Sequence, residues 1–396
     1  MARATTRANG TDARPRVLVV GAGTRFLSAM SYYTIRLANA LAGNFTVAAL
    51  PMRQLMPTFL YPGRSRVGSV QTHLDYDPTI EVLDGVDWFW GRTFVRNLAR
   101  LRAWKPDVVV FEWWTGTVLH SYLAVALLAR LAGASIVVEF HEVLDTAEER
   151  IPAARAWVWA LGLPFFRMAS AFVIHSDDDR ALLERRYRIR GRPCVLIPHG
   201  PFDHHVTSSD DGRSAATRRS APTDALNLLY FGIIRPYKGV EDLVEAFDRL
   251  DDEEIDDYWL TVVGETWEGW DLPMERIRSC RHRGRITVVN RFVDDDEVAA
   301  HFAGADAVVL PYHRSSASGP AHAAMSNGLP LVLTAVGGLP AAVADYEGAV
   351  LVPARDPTAL RNALREVRGL CGRRYRDPHS WDRTVARFAD LMEGLH

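Results

Sequence analysis

Two basic residues stand where a buried strand gives way to a helix in the second half of the chain. The run NLLYFG (227–232) reads as a strand ending at Gly232, and Arg235 and Lys238 follow it directly. Gly239 then opens an apolar periodicity that is typical of an amphipathic helix. Arg can bind phosphate oxygens through two parallel N–H bonds, and Lys supplies a point charge. This spacing predicts a diphosphate-binding loop; solvated loop charges are the alternative.

A second segment offers an anion the start of a helix. Ser318 is a favoured N-cap residue, and Gly319 would be the first helical residue after it. Backbone N–H groups at such a helix start point toward a negative charge. Gly328 would end this helix, and Pro330 begins the next apolar run. Ser318 and Gly319 are therefore predicted to bind substrate.

A glycine-rich turn follows the first predicted strand. The run RVLVVGAG (16–23) predicts a buried strand that leads into Gly21 and Gly23. Phe26 stands where a dinucleotide fingerprint requires Gly or Ala, and the second predicted strand ends without an acidic residue for a ribose. NAD binding therefore fails two of its requirements. The turn can still bind an anion through backbone N–H groups, and a tight turn without a ligand is the alternative.

These segments need a scaffold that presents strand ends at one edge. Short apolar runs alternate with helical patterns in both halves of the chain, as is typical of parallel sheets covered on both faces. Residues 203–225 are polar and lack this rhythm, so we predict a linker between domains at 16–202 and 226–375. The prediction is an α/β protein with two doubly wound, Rossmann-like domains facing a cleft. Residues 1–15 are predicted to be a disordered tail.

Composition excludes several classes of protein. The chain has 396 residues, of which 48% are apolar and 24% charged, values typical of soluble globular proteins. A net charge of −2 gives no electrostatic reason to expect nucleic acid as a partner. The basic, polar N-terminal residues are not followed by an apolar stretch, so we expect no secretory signal there, and no run reaches the ~18 apolar residues of a spanning helix. Three scattered cysteines without a CxxC pair indicate a reducing compartment, and we expect a cytoplasmic protein.

The motif order of the second half resembles that of a known family. FG-x-x-R-x-x-KG, VVGE, ADAVVLPY and AMSNGLPLVLT-x-VGGLP follow one another as in the nucleotide-sugar half of retaining GT-B glycosyltransferases of family 4. The likeness covers most of residues 225–370 and is weaker in the first half. It implies a GT-B fold in which residues 376–396 form a crossover helix that packs back on the first domain.

The resemblance also implies roles for individual residues. Arg235 and Lys238 would stabilise the departing diphosphate, and His141, directly after the predicted strand SIVVEF (135–140), would reach the donor sugar. A helix-capping role for His141 is the alternative. Glu112 and His199, at the ends of other predicted strands, are weaker candidates. The remaining predicted substrate-binding residues of the second half lie at or after strand ends, namely Gly232, Glu265 and Arg291.

One departure from the family pattern affects the ribose contact. The family commonly has two glutamates with seven residues between them, and this chain has Ser315 and Ala323 at those positions. The chain thus resembles a Glu-poor branch of the superfamily. In the family the second glutamate holds the ribose hydroxyls, so the identity of the donor does not carry over. His322 is a candidate substitute contact, and a surface histidine without a role is the alternative.

The predicted activity is transfer of a sugar from a nucleotide-diphosphate sugar to a hydroxyl acceptor, with retention. The acceptor would be a glycan, a glycolipid or a small natural product. The resemblance implies no cofactor and no obligatory metal, and we expect activity to survive removal of divalent cations. A GT-B binding or scaffold protein without turnover is the main alternative, because both glutamates are missing. A GT-B sugar-nucleotide epimerase is disfavoured by the motif order.

Aromatic residues are concentrated in the first half of the chain. Most are expected in the core, but some could form an acceptor platform. Arg150, Arg155 and Arg167 flank the cluster around Trp157 and Trp159. A basic, aromatic patch of this kind suggests peripheral contact with a membrane, which for a cytoplasmic protein is the inner membrane face.

Overall fold

The computed structural model arranges the chain as two α/β domains. The residues it describes are 14–23, 29–54, 74–143, 151–187, 189, 191–205, 221–267 and 269–395. The predicted disordered tail lies outside the described residues, apart from Arg14 and Pro15. The middle of the predicted linker, 206–220, also lies outside them, whereas its first residues form a short 3-10 turn, Asp203–His205.

The first domain is built on an eight-stranded sheet. Its strands are β1 Arg16–Ala22, β2 Thr46–Gln54, β3 Glu81–Val82, β4 Val86–Asp87, β5 Val108–Trp113, β6 Ser135–Phe140, β7 Ala171–Ile174 and β8 Cys194–Leu196. The order is β3-β2-β1-β5-β6-β7-β8, with β4 also paired to β2, and the pairings recorded between these strands are parallel. The helices of this domain are α1 Ala29–Leu41, α2 Arg92–Trp104, α3 Leu119–Leu131, α4 Pro152–Met168 and α5 Asp177–Tyr187.

The second domain has a six-stranded parallel sheet. Its strands are β9 Leu226–Phe231, β10 Tyr258–Val263, β11 Ile286–Val289, β12 Ala307–Leu310, β13 Leu331–Thr334 and β14 Ala349–Val352, in the order β11-β10-β9-β12-β13-β14. Its helices are α6 Val240–Asp248, α7 Leu272–Ser279, α8 Asp295–Ala303, α9 Gly319–Ser326, α10 Leu339–Ala342 and α11 Pro357–Arg368. The two-domain doubly wound prediction is confirmed.

Strand composition explains why both sheets are covered on both faces. The side chains of 17–20 in β1 and of 307–310 in β12 are completely buried, and both runs consist of Val, Leu and Ala. Such runs form central strands of parallel sheets because helices pack on each face. The order of strands reverses between β1 and β5 and between β9 and β12. In open α/β sheets this reversal leaves a crevice at the strand carboxyl ends, where ligands bind.

The last helix returns to the first domain. Helix α12, Trp381–Glu393, buries Val385 and Phe388 in the same apolar cluster as Tyr33 and Leu37 of α1. Ser380 caps it by accepting a hydrogen bond from the backbone N–H of Arg383. The structure thus has the predicted crossover helix.

The carboxyl ends of the two sheets meet at the domain interface. The His199 ring, after β8, stacks on the His322 ring of α9 with a centroid separation of 4.6 Å. Tyr32 of α1 donates a hydrogen bond to Asp295 at the start of α8. Trp267, which follows β10, packs into the apolar core of the first domain. Groups from both domains therefore border one cleft.

Candidate functional site

The carboxyl end of the second sheet brings the two predicted anion-binding segments together. The Lys238 Nζ atom lies 3.7 Å from the ring centroid of Tyr312, which follows β12. The hydroxyl of Ser318 lies 3.4 Å from that of the same Tyr312. On the other side, a Cβ atom placed on Gly232 would lie 3.6 Å from the ring of Pro320. The loop after β9 and the start of α9 therefore face each other at the β9/β12 reversal.

Arg235 lies against an aromatic ring in this loop. Its guanidinium carbon is 4.6 Å from the centroid of the Trp267 ring, a cation–π arrangement. The indole N–H of Trp267 donates to Oε2 of Glu265 at 2.9 Å, and the carbonyl of Glu265 accepts from the N–H of Ile234. Glu265 therefore orients Trp267, and Trp267 in turn orients Arg235.

A third cation joins Arg235 and Lys238. Arg314 lies with its guanidinium carbon 4.7 Å from the ring centroid of Tyr237. Burial lowers the pKa of Lys238, while Glu142 of the first domain acts to raise it and the two arginines act to lower it. Sequence reasoning missed Arg314, although its position after the apolar run AVVLPY matches that of Arg235 after NLLYFG. The three cations form a positive strand-end surface that suits a diphosphate.

Two glycines allow the strand ends to approach closely. Gly264 has a φ of +152°, and a Cβ atom there would lie 1.9 Å from the carbonyl oxygen of Gly232. Gly232 itself has a φ of +132°. Only glycine accepts such a contact without moving the backbone. The loop carrying Arg235 therefore packs directly on the loop carrying Glu265.

Helix α9 begins where the sequence predicts. Ser318 is the N-cap, and its Oγ accepts from the N–H of Ala321 at 3.3 Å. Pro320 has no N–H, so the helix start offers an anion the N–H of Gly319 together with the positive end of the helix dipole. Fewer donors are available than the sequence pattern suggests, because Ser318 uses the N–H of Ala321.

The carboxyl end of the first sheet carries a buried polar cluster. Glu139 of β6, His141 after it and His175 after β7 have side chains that are at most 5% exposed. The hydroxyl of Tyr33 donates to Oε1 of Glu139 at 2.6 Å. Burial raises the pKa of Glu139 to about 8, and it lowers the pKa of His141 and brings that of His175 to about 4.

A second buried carboxyl lies beside this cluster. Glu112 of β5 is in register with Glu139 of β6. Thr34 donates to Oε2 of Glu112 at 2.5 Å. Burial raises the pKa of Glu112, and the neighbouring Glu139 raises it further. Sequence reasoning ranked Glu112 as a weak candidate and missed Glu139 and His175, whose signal is a polar residue at the end of an apolar strand.

The two halves of the chain match two family descriptions. Residues 28–200 match the family described as "Glycosyl transferase 4-like domain", and residues 225–368 match "Glycosyl transferases group 1". Sucrose-phosphate synthase from Thermosynechococcus elongatus aligns at a TM-score of 0.66 and 19% identity, over 96% of this chain and 99% of that one. The chain therefore has the two-domain GT-B fold, and one glycosyltransferase family description matches each of its halves. Anabaena HepE in complex with UDP and glucose aligns at a TM-score of 0.67 and 14% identity, over 96% and 100%.

Curated relatives align with this chain over part of their length. A D-inositol 3-phosphate glycosyltransferase from Geodermatophilus obscurus is 34% identical over 231 residues, 55% of this chain and 51% of the relative. A glycogen synthase from Mycobacterium tuberculosis is 30% identical over 285 residues, 69% of this chain and 63% of the relative. The chain thus spans about half the length of the inositol phosphate relatives that it matches.

The two positions where glutamates are expected have other roles in this chain. Ala323 is 3% exposed and packs in the core of the second domain. The Ser315 hydroxyl donates to the carbonyl of Ala317 at 2.8 Å, and its own carbonyl accepts from the N–H of Gly338. Neither position supplies a carboxylate to the cleft.

The two glycines of the first turn are explained by close packing. The N–H of Gly23 donates to the carbonyl of Met52 at 2.9 Å, so it is not aimed at a ligand. A Cβ atom on Gly21 would lie 2.3 Å from Oε2 of Glu112 and 2.6 Å from the hydroxyl of Thr34. Close packing accounts for both glycines, and their contact with a substrate stays a prediction. The following residues 24–28 lie outside the described part of the chain.

Arg291 does not join the other predicted substrate-binding residues. Its two terminal nitrogens donate to the two carboxylate oxygens of Glu297 at 2.8 and 2.5 Å. Glu297 is also the third residue of the capping box that Asp294 forms at the start of α8. Arg291 therefore stabilises the start of α8 through Glu297, and its contact with a substrate stays a prediction.

His322 is buried, so the alternative of a surface histidine is wrong. Its ring is 2% exposed and lies between His199 and His379, with centroid separations of 4.6 and 4.9 Å. Burial lowers the pKa of His322, as do the neighbouring histidines. His322 belongs to the contact between the domains, and its contact with the donor stays a prediction.

The aromatic residues of the first domain divide into two groups. Trp113, Phe165 and Phe166 are in the core. Trp90 and Trp159 are exposed, at 59% and 74%. Among the described helices, α4 included, we find none with the length and apolar character needed to cross a bilayer.

Proposed function

We propose that this chain transfers a sugar from a nucleotide-diphosphate sugar to a hydroxyl acceptor, with retention of the anomeric configuration. One observation carries the proposal: Tyr312 contacts both Lys238 and Ser318. A cation and a helix start thus converge on one strand end, at the reversal point of a doubly wound sheet. That pairing suits an anion such as a phosphate group of the donor.

The chemistry follows from where charge develops. Breaking the anomeric C–O bond places negative charge on the diphosphate and positive character on the sugar. Lys238, Arg235 and Arg314 would stabilise the diphosphate more strongly as that charge grows, which lowers the barrier to transfer. Because these cations already supply positive charge, we propose that the diphosphate needs no bound metal, and brief exposure to EDTA should leave turnover intact.

The class of donor has support from related proteins. Anabaena HepE has been solved in complex with UDP and glucose, and with UDP-glucose, so this fold accommodates nucleotide sugars. The relatives named D-inositol 3-phosphate glycosyltransferase imply a hydroxyl acceptor. Retention is proposed from the family 4 motif order of the second half.

The test is a panel of UDP-, GDP- and dTDP-sugars added to the purified chain. We expect a rise in melting temperature with one nucleotide class, and slow hydrolysis of its sugar nucleotide in the absence of acceptor. Proton NMR of the first glycoside formed then gives the configuration. An inverted product would contradict retention, and binding of no nucleotide would contradict the proposal as a whole.

A scaffold without turnover is the second candidate, favoured by Ala323 and Ser315 in place of carboxylates. It predicts nucleotide binding without hydrolysis or transfer on any acceptor. The same panel separates the two, because thermal shift reports binding and product formation reports turnover.

A further inference from the structure

Glu139, His141 and His175 present metal-ligand atoms to one another in the interior of the first domain. One ligand atom from each lies within 4.8 Å of those of the other two. The nearest approaches are 3.6 Å from Oε1 of Glu139 to Nε2 of His175 and 3.9 Å from Oε2 of Glu139 to Nε2 of His141. Bonds of about 2.0–2.2 Å in a tetrahedral site place ligands roughly 3.3 Å apart. Small side-chain shifts would bring these atoms to that spacing.

The facing atoms lack other partners. Oε2 of Glu139, Nε2 of His175 and both ring nitrogens of His141 are buried and make no hydrogen bond. Separations of 3.6–3.9 Å are too long for hydrogen bonds among these groups. Unsatisfied buried polar atoms are costly, and Oε2 of Glu139, Nε2 of His141 and Nε2 of His175 lie close enough together for one common partner to satisfy all three.

Two of the three side chains also make hydrogen bonds to groups outside the cluster. Nδ1 of His175 lies 2.9 Å from the carbonyl of Ile197, so Nδ1 carries the proton and Nε2 presents its lone pair to the cluster. The hydroxyl of Tyr33 donates to Glu139. A second hydrogen bond on the far side of a histidine or carboxylate is typical of metal ligands, because it fixes the tautomer and the orientation.

The charge of the surroundings also favours a cation. Glu112 and Glu139 are both completely buried on neighbouring strands. Within the part of the chain that the structure describes, no Lys or Arg forms an ion pair with either carboxyl. Buried carboxylates are otherwise paired or coordinate metals. Two imidazoles and a carboxylate suit a divalent transition metal such as Zn²⁺ better than Mg²⁺ or Ca²⁺, which prefer oxygen ligands alone.

We propose that Glu139, His141 and His175 bind one divalent transition metal ion, of which Zn²⁺ is the representative, beneath the cleft of the first domain. Water or the adjacent His199 supplies the fourth position. The site lies in the first domain, so it serves that domain and not the diphosphate bound by the second. Metal binding is independent of the proposed transfer and is measurable without a donor.

The proposal assigns His141 a different task from the one that the resemblance implies. As a ligand through Nε2, the ring is held in place and does not use that nitrogen on the sugar. Variants at His175 and Glu139 therefore test metal binding alone. A variant at His141 would change both metal binding and the sugar contact that the resemblance implies.

The primary experiment is metal analysis of the full chain, purified without chelator and without a metal-affinity tag. We expect one equivalent of metal per chain by mass spectrometry, and rebinding of one Zn²⁺ after stripping. His175→Ala and Glu139→Gln should abolish stoichiometric binding. Tyr33→Phe, which removes an outer hydrogen bond, should weaken binding ~10–100-fold. His120→Ala, at a half-buried histidine beside Trp88, is the control and should bind like the wild type.

Because buried substitutions can prevent folding, a second readout uses the wild-type chain. Zn²⁺ should raise the melting temperature of the stripped protein while Mg²⁺ does not, and Co²⁺ should give the strong visible absorption of a tetrahedral nitrogen and oxygen site. The proposal is overturned if stripped protein binds no transition metal in stoichiometric amount. It is equally overturned if folded His175→Ala retains wild-type binding, which would place the ion elsewhere.

Discussion

The carboxyl ends of the two sheets have the same topology and opposite chemistry. In each domain the strand order reverses beside the first strand, and polar residues follow the strands at that edge. In the second domain these residues are cations lying on aromatic rings and only partly buried, such as Lys238 on Tyr312. In the first they are acids and histidines with almost no exposure, such as Glu139 and His175.

The difference shows that the reversal of strand order determines where a site lies, whereas the side chains that follow the strands determine which kind of ligand it binds. Arg235 is only partly buried, and the face of the Trp267 ring attracts its guanidinium. Glu139 is completely buried, and its Oε2 atom makes no hydrogen bond within the part of the chain that the structure describes. One edge therefore suits an anion that enters from the cleft, and the other suits a small cation enclosed in the domain.

The largest effect is expected from removing the cations at the second sheet. Lys238→Ala and Arg235→Ala should each lower turnover by ~100-fold, about 3 kcal/mol, and weaken nucleotide binding much less, because their contact strengthens as charge develops. Steady-state kinetics on a nucleotide sugar are the measurement, with melting temperature to check folding. Arg249→Ala is the control, since this arginine pairs with Glu245 on the outer face of α6. If both variants fold and retain wild-type turnover, the proposed diphosphate site at the second sheet is wrong.

Gly264→Ala should break the packing that holds the two strand-end loops of the second domain together. The added Cβ meets the carbonyl of Gly232 at 1.9 Å, and φ is +152°. Strain of this kind costs about 1–3 kcal/mol, so the free energy of unfolding should fall by that amount in urea titration. Gly284→Ala is the matched control, because a Cβ there meets nothing within 4 Å. If the two variants have equal free energies of unfolding, the close approach of Gly264 to the carbonyl of Gly232 is contradicted.

A smaller effect should follow from Trp267→Leu. This change removes the ring under Arg235 but keeps an apolar side chain in the interface. A partly buried cation–π contact contributes about 1–2 kcal/mol, so kcat/KM should fall by about 5–30-fold. Glu265→Gln retains an acceptor for the indole N–H of Trp267, so kcat/KM should fall less in this variant than in Trp267→Leu. If Glu265→Gln is the more damaging change, the carboxylate acts on the substrate and not through Trp267.

The smallest expected effect is on acid stability at the domain contact. The folded-state pKa of His322 lies below its ordinary value, so the unfolded chain binds the extra proton as pH falls below about 6.5 and stability is lost there. His322→Phe keeps the stacking on His199 and cannot titrate. It should therefore lose less stability between pH 8 and pH 5 than the wild type in chemical denaturation. His199 still faces the site, and because burial lowers its pKa as well, part of the dependence remains. An unchanged pH profile would contradict this origin.

Sequence patterns predicted what depends on neighbours along the chain. The apolar runs gave β1 and β9, and Ser318 marked the start of α9, because burial periodicity and capping are local properties. The patterns could not show that Glu139 and His175 meet, since that requires knowing that β6 and β7 are adjacent. They also missed the pairing of Arg291 with Glu297 at the start of α8. The burial of His322 depends on His199 in the other domain, so no local pattern reports it.

The return of α12 to the first domain limits how the cleft can open. The polypeptide crosses between the domains twice, once after Gly200 and once before Trp381, and a Cβ atom on Gly200 would lie 2.6 Å from the Trp381 ring. The hydroxyl of Thr384 also donates to the carbonyl of Pro198 at 3.0 Å. Because the segments after Gly200 and before Trp381 lie side by side, we expect them to act as a single hinge. The two domains would then rotate about this hinge and would not slide past each other. Opening then swings Lys238 away from Glu142 through an arc while the residues at the hinge line stay in contact.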